Sequence, residues 1–242
     1  MSAPDRVPVR LRSTQGDSLA AFRYGDAPRA VVIAHGILAH QDLPEIRGLV
    51  DRFRRDATVY TLDFRGHGAS GGKFTMGQEE HRDLAALLGI VKATHRRVGL
   101  VGFSFGGFHS VLAAAAVPVD ALCLVSAPAH LRVWDHFPFG RAYFRTLPHI
   151  LMRRRGRHRI GVFARPSVNP EDVIARVAAP VLVVHGTDDW IVSERHARLL
   201  HERAHGPKHL EVVPGGLHAE YLLKQDPDGI FMLLSDWINK MN

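Results

Sequence analysis

The stretch Gly102-Phe103-Ser104-Phe105-Gly106-Gly107 sets a serine between small residues in the pattern G-x-S-x-G. A serine hydroxyl is a weak nucleophile at neutral pH and needs an adjacent base, itself oriented by a third group. At ordinary glycine and serine frequencies the pattern turns up by chance in about one chain of this size in ten, so its surroundings decide. Before it runs Val98-Gly99-Leu100-Val101, with strand character, and after it residues 107–116 read as a helix. That is a strand-to-helix turn whose small residues let the chain bend sharply, projecting Ser104 above a sheet edge.

An acid and then a histidine should follow further along the chain. Val181-Leu182-Val183-Val184-His185-Gly186-Thr187-Asp188-Asp189 reads as a strand ending in a turn with two carboxylates. Val212-Val213-Pro214-Gly215-Gly216-Leu217-His218 reads as a strand ending in a glycine turn with a histidine. Carboxyl ends of strands are where ligands and reacting groups gather in open α/β sheets. Among 16 histidines His218 stands out by that position, whereas His209 starts its strand at the opposite end and His196, His201 and His205 read as surface residues of a helix. Ser104 as nucleophile and His218 as base would need backbone donors for the oxyanion that forms on an attacked carbonyl. Phe105 N–H, next to the nucleophile, is one. Ile37 N–H, in the loop His35-Gly36-Ile37-Leu38 after an earlier strand, is the other, with His35 packing beneath the turn.

These residues need a scaffold that brings strand ends together. Apolar runs rich in Val, Ile and Leu at 30–34, 58–62, 98–103, 121–126, 181–184 and 210–213 read as parallel strands buried on both faces. Helical patterns at 45–55, 78–94, 106–116, 193–204 and 227–240 alternate with them, the last opened by Asp226 as N-cap and Pro227 in the first helical position. Right-handed crossovers then place helices on both faces of a doubly wound, mostly parallel sheet. Residues 7–12 and 19–24 read as an antiparallel hairpin at its edge. The rhythm breaks between Pro128 and Pro180, where Trp134, Phe137, Phe139, Tyr143, Phe144 and Phe163 keep company with four prolines. This stretch, about 128–179, is expected to be a short cap inserted into a single α/β domain covering 1–242.

Composition narrows the class. An apolar share of 46% and a charged share of 23% are those of an ordinary globular protein. No apolar run reaches the ~18 residues of a membrane-spanning helix and the N-terminus lacks an apolar signal core, which points to a cytoplasmic protein. The single cysteine, Cys123, sits in an apolar strand and reads as core. The net charge of +7 is local: eight arginines and no carboxylate lie between Arg141 and Arg165, and the rest of the chain is close to neutral. Such a run is a solvated face or a site for an anionic ligand or surface. It lacks a nucleic-acid recognition motif, so no nucleic-acid partner is expected.

Taken together, the His35-Gly36 turn, Asp63-Phe64-Arg65-Gly66-His67-Gly68-Ala69-Ser70 after a strand, the serine elbow, the acid turn and His218 resemble the α/β-hydrolase superfamily, in its serine esterase and lysophospholipase-like branch. The likeness runs over nearly the whole chain. In that family the acid follows a glycine, two residues, aspartate, two residues, valine pattern, which Gly186, Asp189 and Val192 fit; the resemblance thus selects Asp189 over Asp188. It also implies an enzyme without cofactor or metal, and an architectural role for residues 63–70. The expected activity is cleavage of a carboxylic ester of a small or medium acyl group through an acyl-serine. An acyl-CoA or protein thioesterase using the basic cap is the alternative. A non-catalytic binding protein on the same scaffold has no need of a complete serine, histidine and aspartate set.

Overall fold

The computed structural model describes residues 6–131, 159, 161 and 166–240. Most of the expected cap, its aromatic residues and every arginine of the basic run except Arg159 lie outside the described residues.

Eight strands form one sheet in the order β1-β2-β4-β3-β5-β6-β7-β8. The hairpin β1 (Arg6–Arg12) and β2 (Ser18–Tyr24) is antiparallel, and β2 joins β4 (Thr58–Leu62) antiparallel. The strands β3 (Arg29–Ala34), β4, β5 (Arg97–Phe103), β6 (Ala121–Val125), β7 (Val181–Gly186) and β8 (Lys208–Val213) pair in parallel. Strands and hairpin lie where the hydrophobic runs put them, to within two residues at most ends.

Side chains alternate along each strand, so one apolar run feeds two cores. Val31 and Ile33 of β3 face the cluster made with α1 (Pro44–Phe53) and α7 (Pro227–Asn239), while Ala30, Val32 and Ala34 face the cluster made with α2 (Glu80–Lys92) and α3 (Phe105–Ala116). Each fully buried Val, Leu or Ile contributes about 1.5–3 kcal/mol, which is why the apolar faces of these helices lie on the sheet. Asp226 caps α7 as its sequence implies, accepting from Gly229 N–H at 2.9 Å. Cys123 is fully buried, and burial pushes its thiol up. Val173, Ile174, Val177 and Ala179, in and after the short helix α4 (Pro170–Val173), belong to the α2–α3 core, so the last ten residues of the expected cap stretch pack into the body.

Residues 63–70 are architectural in their contacts: Asp63 accepts from the N–H groups of Gln41 (2.8 Å) and Ala69 (2.9 Å), and buried Arg65 grips buried Asp83 with Nε at 2.7 Å and Nη2 at 2.6 Å. Among the described residues no helix is long and apolar enough to cross a membrane.

The chain's polar interior predicts its response to acid. His109 of α3 is fully buried against the rings of Phe64, Phe105 and Phe108, with neither ring nitrogen hydrogen-bonded among the described residues. Glu80 stands 4.0 Å away, while Arg65 and the histidines at 35, 67 and 81 surround it. Burial above all, then the neighbouring cationic groups, hold His109 well below its ordinary 6.5. The unfolded chain therefore takes up this proton first as pH falls. Stability present above about pH 6.5 is lost below it, at a slope of at most about 1.4 kcal/mol per pH unit for each such group. Thermal unfolding should show midpoints falling from pH 7 to pH 5, and His109→Phe should flatten that slope. An unchanged slope in the variant would remove His109 from the account.

Candidate active site

The order of the sheet decides where a site forms. After β3 the chain crosses to β4 on one side; after β5 it crosses to β6 on the other, so the carboxyl ends of the neighbours β3 and β5 open a crevice between diverging connections. Ala34 pairs with Gly102, which brings the turn at residues 35–38 beside Ser104.

Ser104 is the N-cap of α3, at φ 50° and ψ −116°. A non-glycine residue in that region costs about 1–3 kcal/mol and persists where its surroundings fix it. Two features do so here. Ser104 N–H donates to Val125 O at 2.8 Å. Gly106 lets α3 start against β3, since a Cβ there would lie 2.3 Å from Ala34 O and 2.5 Å from His35 O. The G-x-S-x-G glycine is thus required by backbone contact as well as by the bend.

Ser104 Oγ lies 2.8 Å from His218 Nε2, and His218 Nδ1 lies 2.9 and 2.8 Å from the two carboxylate oxygens of Asp189. All three side chains are buried or nearly so. Asp189 Oδ1 also accepts from the N–H groups of Ile191 (3.0 Å) and Val192 (2.9 Å), which orients it. Burial pushes its carboxyl up, but the neighbouring His218, that hydrogen bond, His185 and Val192 N–H together hold it below the ordinary 3.8. Asp189 is ionised at neutral pH and fixes the proton of His218 on Nδ1, leaving Nε2 to accept from Ser104. Asp188 is exposed and bonds Thr187 Oγ1 instead.

Among the described residues, neither Ile37 N–H nor Phe105 N–H meets an acceptor. Phe105 opens α3, where the first N–H groups of a helix are free and its dipole favours negative charge. The described residues hold no cluster of three or more His, Cys, Asp or Glu side chains placed to bind a metal.

The sequence profile of the alpha/beta hydrolase family matches residues 31–231. The chain belongs to the α/β hydrolase family. This α/β hydrolase is 28% identical over 207 residues to the uncharacterized protein YqkD of Bacillus subtilis, a match that spans 80% of this chain and 66% of that relative's length. It is also 28% identical over 254 aligned positions to the monoacylglycerol lipase of Mycolicibacterium smegmatis, covering 87% of this chain and 88% of that one. In fold it is similar to the Pyrococcus furiosus esterase Pf2001, with a TM-score of 0.81, 98% of this chain and 92% of that chain covered, and 21% identity.

One expectation about the hydrolase's histidines needs correction. His196 is buried, not a surface residue: it lies on the inner side of α5 (Glu194–Arg203) and its Nδ1 accepts from Ala129 N–H at 3.1 Å. Its flanks, Arg195 and Arg198, carry the charge, so the local composition looked like a solvated face.

Three further residues around the site have no motif to announce them. Buried His185 donates from Nε2 to Val192 O at 2.9 Å and stands 3.5 Å from Asp189; burial lowers its pKa and keeps it neutral, a dipole beside the acid rather than a competing charge. Ser126, at φ 52° just beyond β6, accepts through Oγ from Ala219 N–H at 2.9 Å and holds the residue after His218. Buried Glu220, at the start of a helix absent from the hydrophobic pattern, α6 (Glu220–Gln225), accepts from Gly36 N–H at 2.9 Å.

Proposed function

We propose that this α/β hydrolase cleaves a carboxylic ester of a small or medium acyl group through a covalent acyl-serine at Ser104. The observation that carries the reading is the unbroken line of hydrogen bonds from Ser104 Oγ through His218 to Asp189, beside two uncommitted backbone donors. In the first half, Ser104 Oγ bonds to the ester carbon while His218 Nε2 takes its proton. Ile37 and Phe105 N–H hold the resulting oxyanion. Protonated His218, stabilised by Asp189, returns the proton to the leaving alkoxide oxygen as the carbon–oxygen bond breaks. In the second half, water attacks the acyl-serine with His218 again as base, releasing the carboxylic acid and restoring Ser104.

The reading takes the chain as one hydrolase domain with a cap insertion, acting on a small-molecule ester in the cytoplasm. The likeness to the Mycolicibacterium smegmatis monoacylglycerol lipase supports an ester rather than an amide substrate.

The test is a panel of p-nitrophenyl esters of rising acyl length run beside acyl-CoAs at 0.1 and 1 M salt, between which the Debye length falls from about 10 to 3 Å. Ester turnover should show a stoichiometric burst of p-nitrophenol, as acyl-enzyme accumulation requires, and should barely respond to salt. Acyl-CoA turnover above that of every ester, falling with salt and with joint replacement of Arg153, Arg154 and Arg155 by glutamine, would move the assignment to a thioesterase.

A further inference from the structure

The turn carrying Ile37 is held by contacts that fix two successive peptides. His35 Nε2 accepts from Phe64 N–H at 3.2 Å, so its Nδ1 bears the proton and donates to Gly36 O at 2.7 Å. Ala39 N–H reaches the same oxygen at 3.3 Å. In a trans peptide the carbonyl and the following N–H point in opposite directions, so a Gly36 carbonyl tied to the His35 ring leaves Ile37 N–H facing away from it. The preceding peptide is tied from the other side: Gly36 N–H donates to Glu220 Oε1 at 2.9 Å. Rotation of either peptide breaks a buried hydrogen bond and leaves a buried donor or acceptor unmet.

Glu220 is 184 residues away in sequence from Gly36 but two residues from His218. Its own place is set by Ala219, at φ 44°, whose N–H is held by Ser126. At Gly36 the packing leaves no room for adjustment, because a Cβ would lie 2.8 Å from Glu220 Oε1 and 3.3 Å from Ser104 Cβ. One short segment, 218–220, therefore supplies both the base and the acceptor that sets the oxyanion turn.

We infer that Glu220 is a positioning residue: by accepting from Gly36 N–H it holds the turn so that Ile37 N–H is available to the oxyanion. This rests on the acyl-serine reading. Carboxylate and carboxamide oxygens both accept an N–H bond, so the role follows from the acceptor and not from the charge.

Glu220→Ala and Glu220→Leu remove the acceptor. Misplacing an oxyanion donor by about 1 Å costs up to about a hundredfold in rate, so both variants should lose about tenfold to a hundredfold in kcat on a p-nitrophenyl ester while KM moves by less than about threefold. Affinity for a trifluoromethyl ketone, which adds to the serine as an oxyanion, should fall in parallel with kcat/KM. Glu220→Gln should recover most of the loss. Folded Ala and Leu variants with wild-type kcat would overturn the inference, as would a Gln variant as impaired as Ala. Should the truncated variants fail to fold, amide exchange at Gly36 in the wild-type enzyme decides: protection supports the Glu220 bond, and exchange at the rate of an exposed turn overturns it. That measurement does not depend on turnover, so it stands even if fluorophosphonate labelling places the nucleophile elsewhere and sinks the acyl-serine reading.

Discussion

Ser104→Ala is expected to lower ester turnover by roughly 10⁴ to 10⁶, the loss that follows removal of the nucleophile from a comparable triad. The size of the effect comes from the arrangement: His218 Nε2 is 2.8 Å from Ser104 Oγ, and without the hydroxyl it has nothing to activate except water. What remains is binding and the backbone donors, which in such enzymes retain about 10³–10⁴ over water. A fluorophosphonate should label the wild-type protein once, at Ser104, and leave the variant unlabelled. Peptide mapping of the adduct to any other residue would remove the assignment.

Asp189→Asn should cost on the order of 10⁴ in turnover. The asparagine amide can donate to His218 Nδ1, which would put the ring proton on Nε2, the nitrogen that must accept from Ser104. Its carboxylate is also held below its ordinary pKa chiefly by His218 once burial is overcome, so the variant loses the charge that stabilises protonated His218. Asp188→Asn is the control. Asp188 is exposed and meets Thr187, not His218, so its variant should stay within a few-fold of wild type. Equal losses in the two variants, or the reverse order, would mean that the acid of the turn is misassigned.

The parts of this molecule legible in the sequence are those written in local pattern. Runs such as Val31-Val32-Ile33 are apolar at every position because both faces of β3 are covered, and that is visible without coordinates. Ser104 and His218 were legible for a different reason: each follows a buried strand at its carboxyl end, and chain order then limits the choice. Asp189 needed the family resemblance, since nothing in the residues alone separates it from Asp188; the two N–H donors at Ile191 and Val192 that orient it emerge only when the turn is folded. Glu220, Ser126 and His185 were not legible. Each acts on a partner through space, and Glu220 lies in a six-residue helix too short to show a period. His196 misled because its neighbours are charged while its own side chain turns inward.

The base of the proposed triad hangs from the least protected strand that the site uses. Ser104 follows β5 and the oxyanion turn follows β3, both flanked by strands on two sides and buried almost throughout. His218 instead follows β8, which among the described residues lies at the far edge of the sheet, pairs only with β7 and is at least partly exposed along its whole length. Segments of that kind open locally at a free energy below that of global unfolding. Heat is therefore expected to silence turnover reversibly, by fraying one edge, before the core gives way, which activity and near-UV circular dichroism followed through the same temperature ramp would check. On that expectation, widening its working temperature range is a matter of fastening β8 rather than of improving an interior that is already closed.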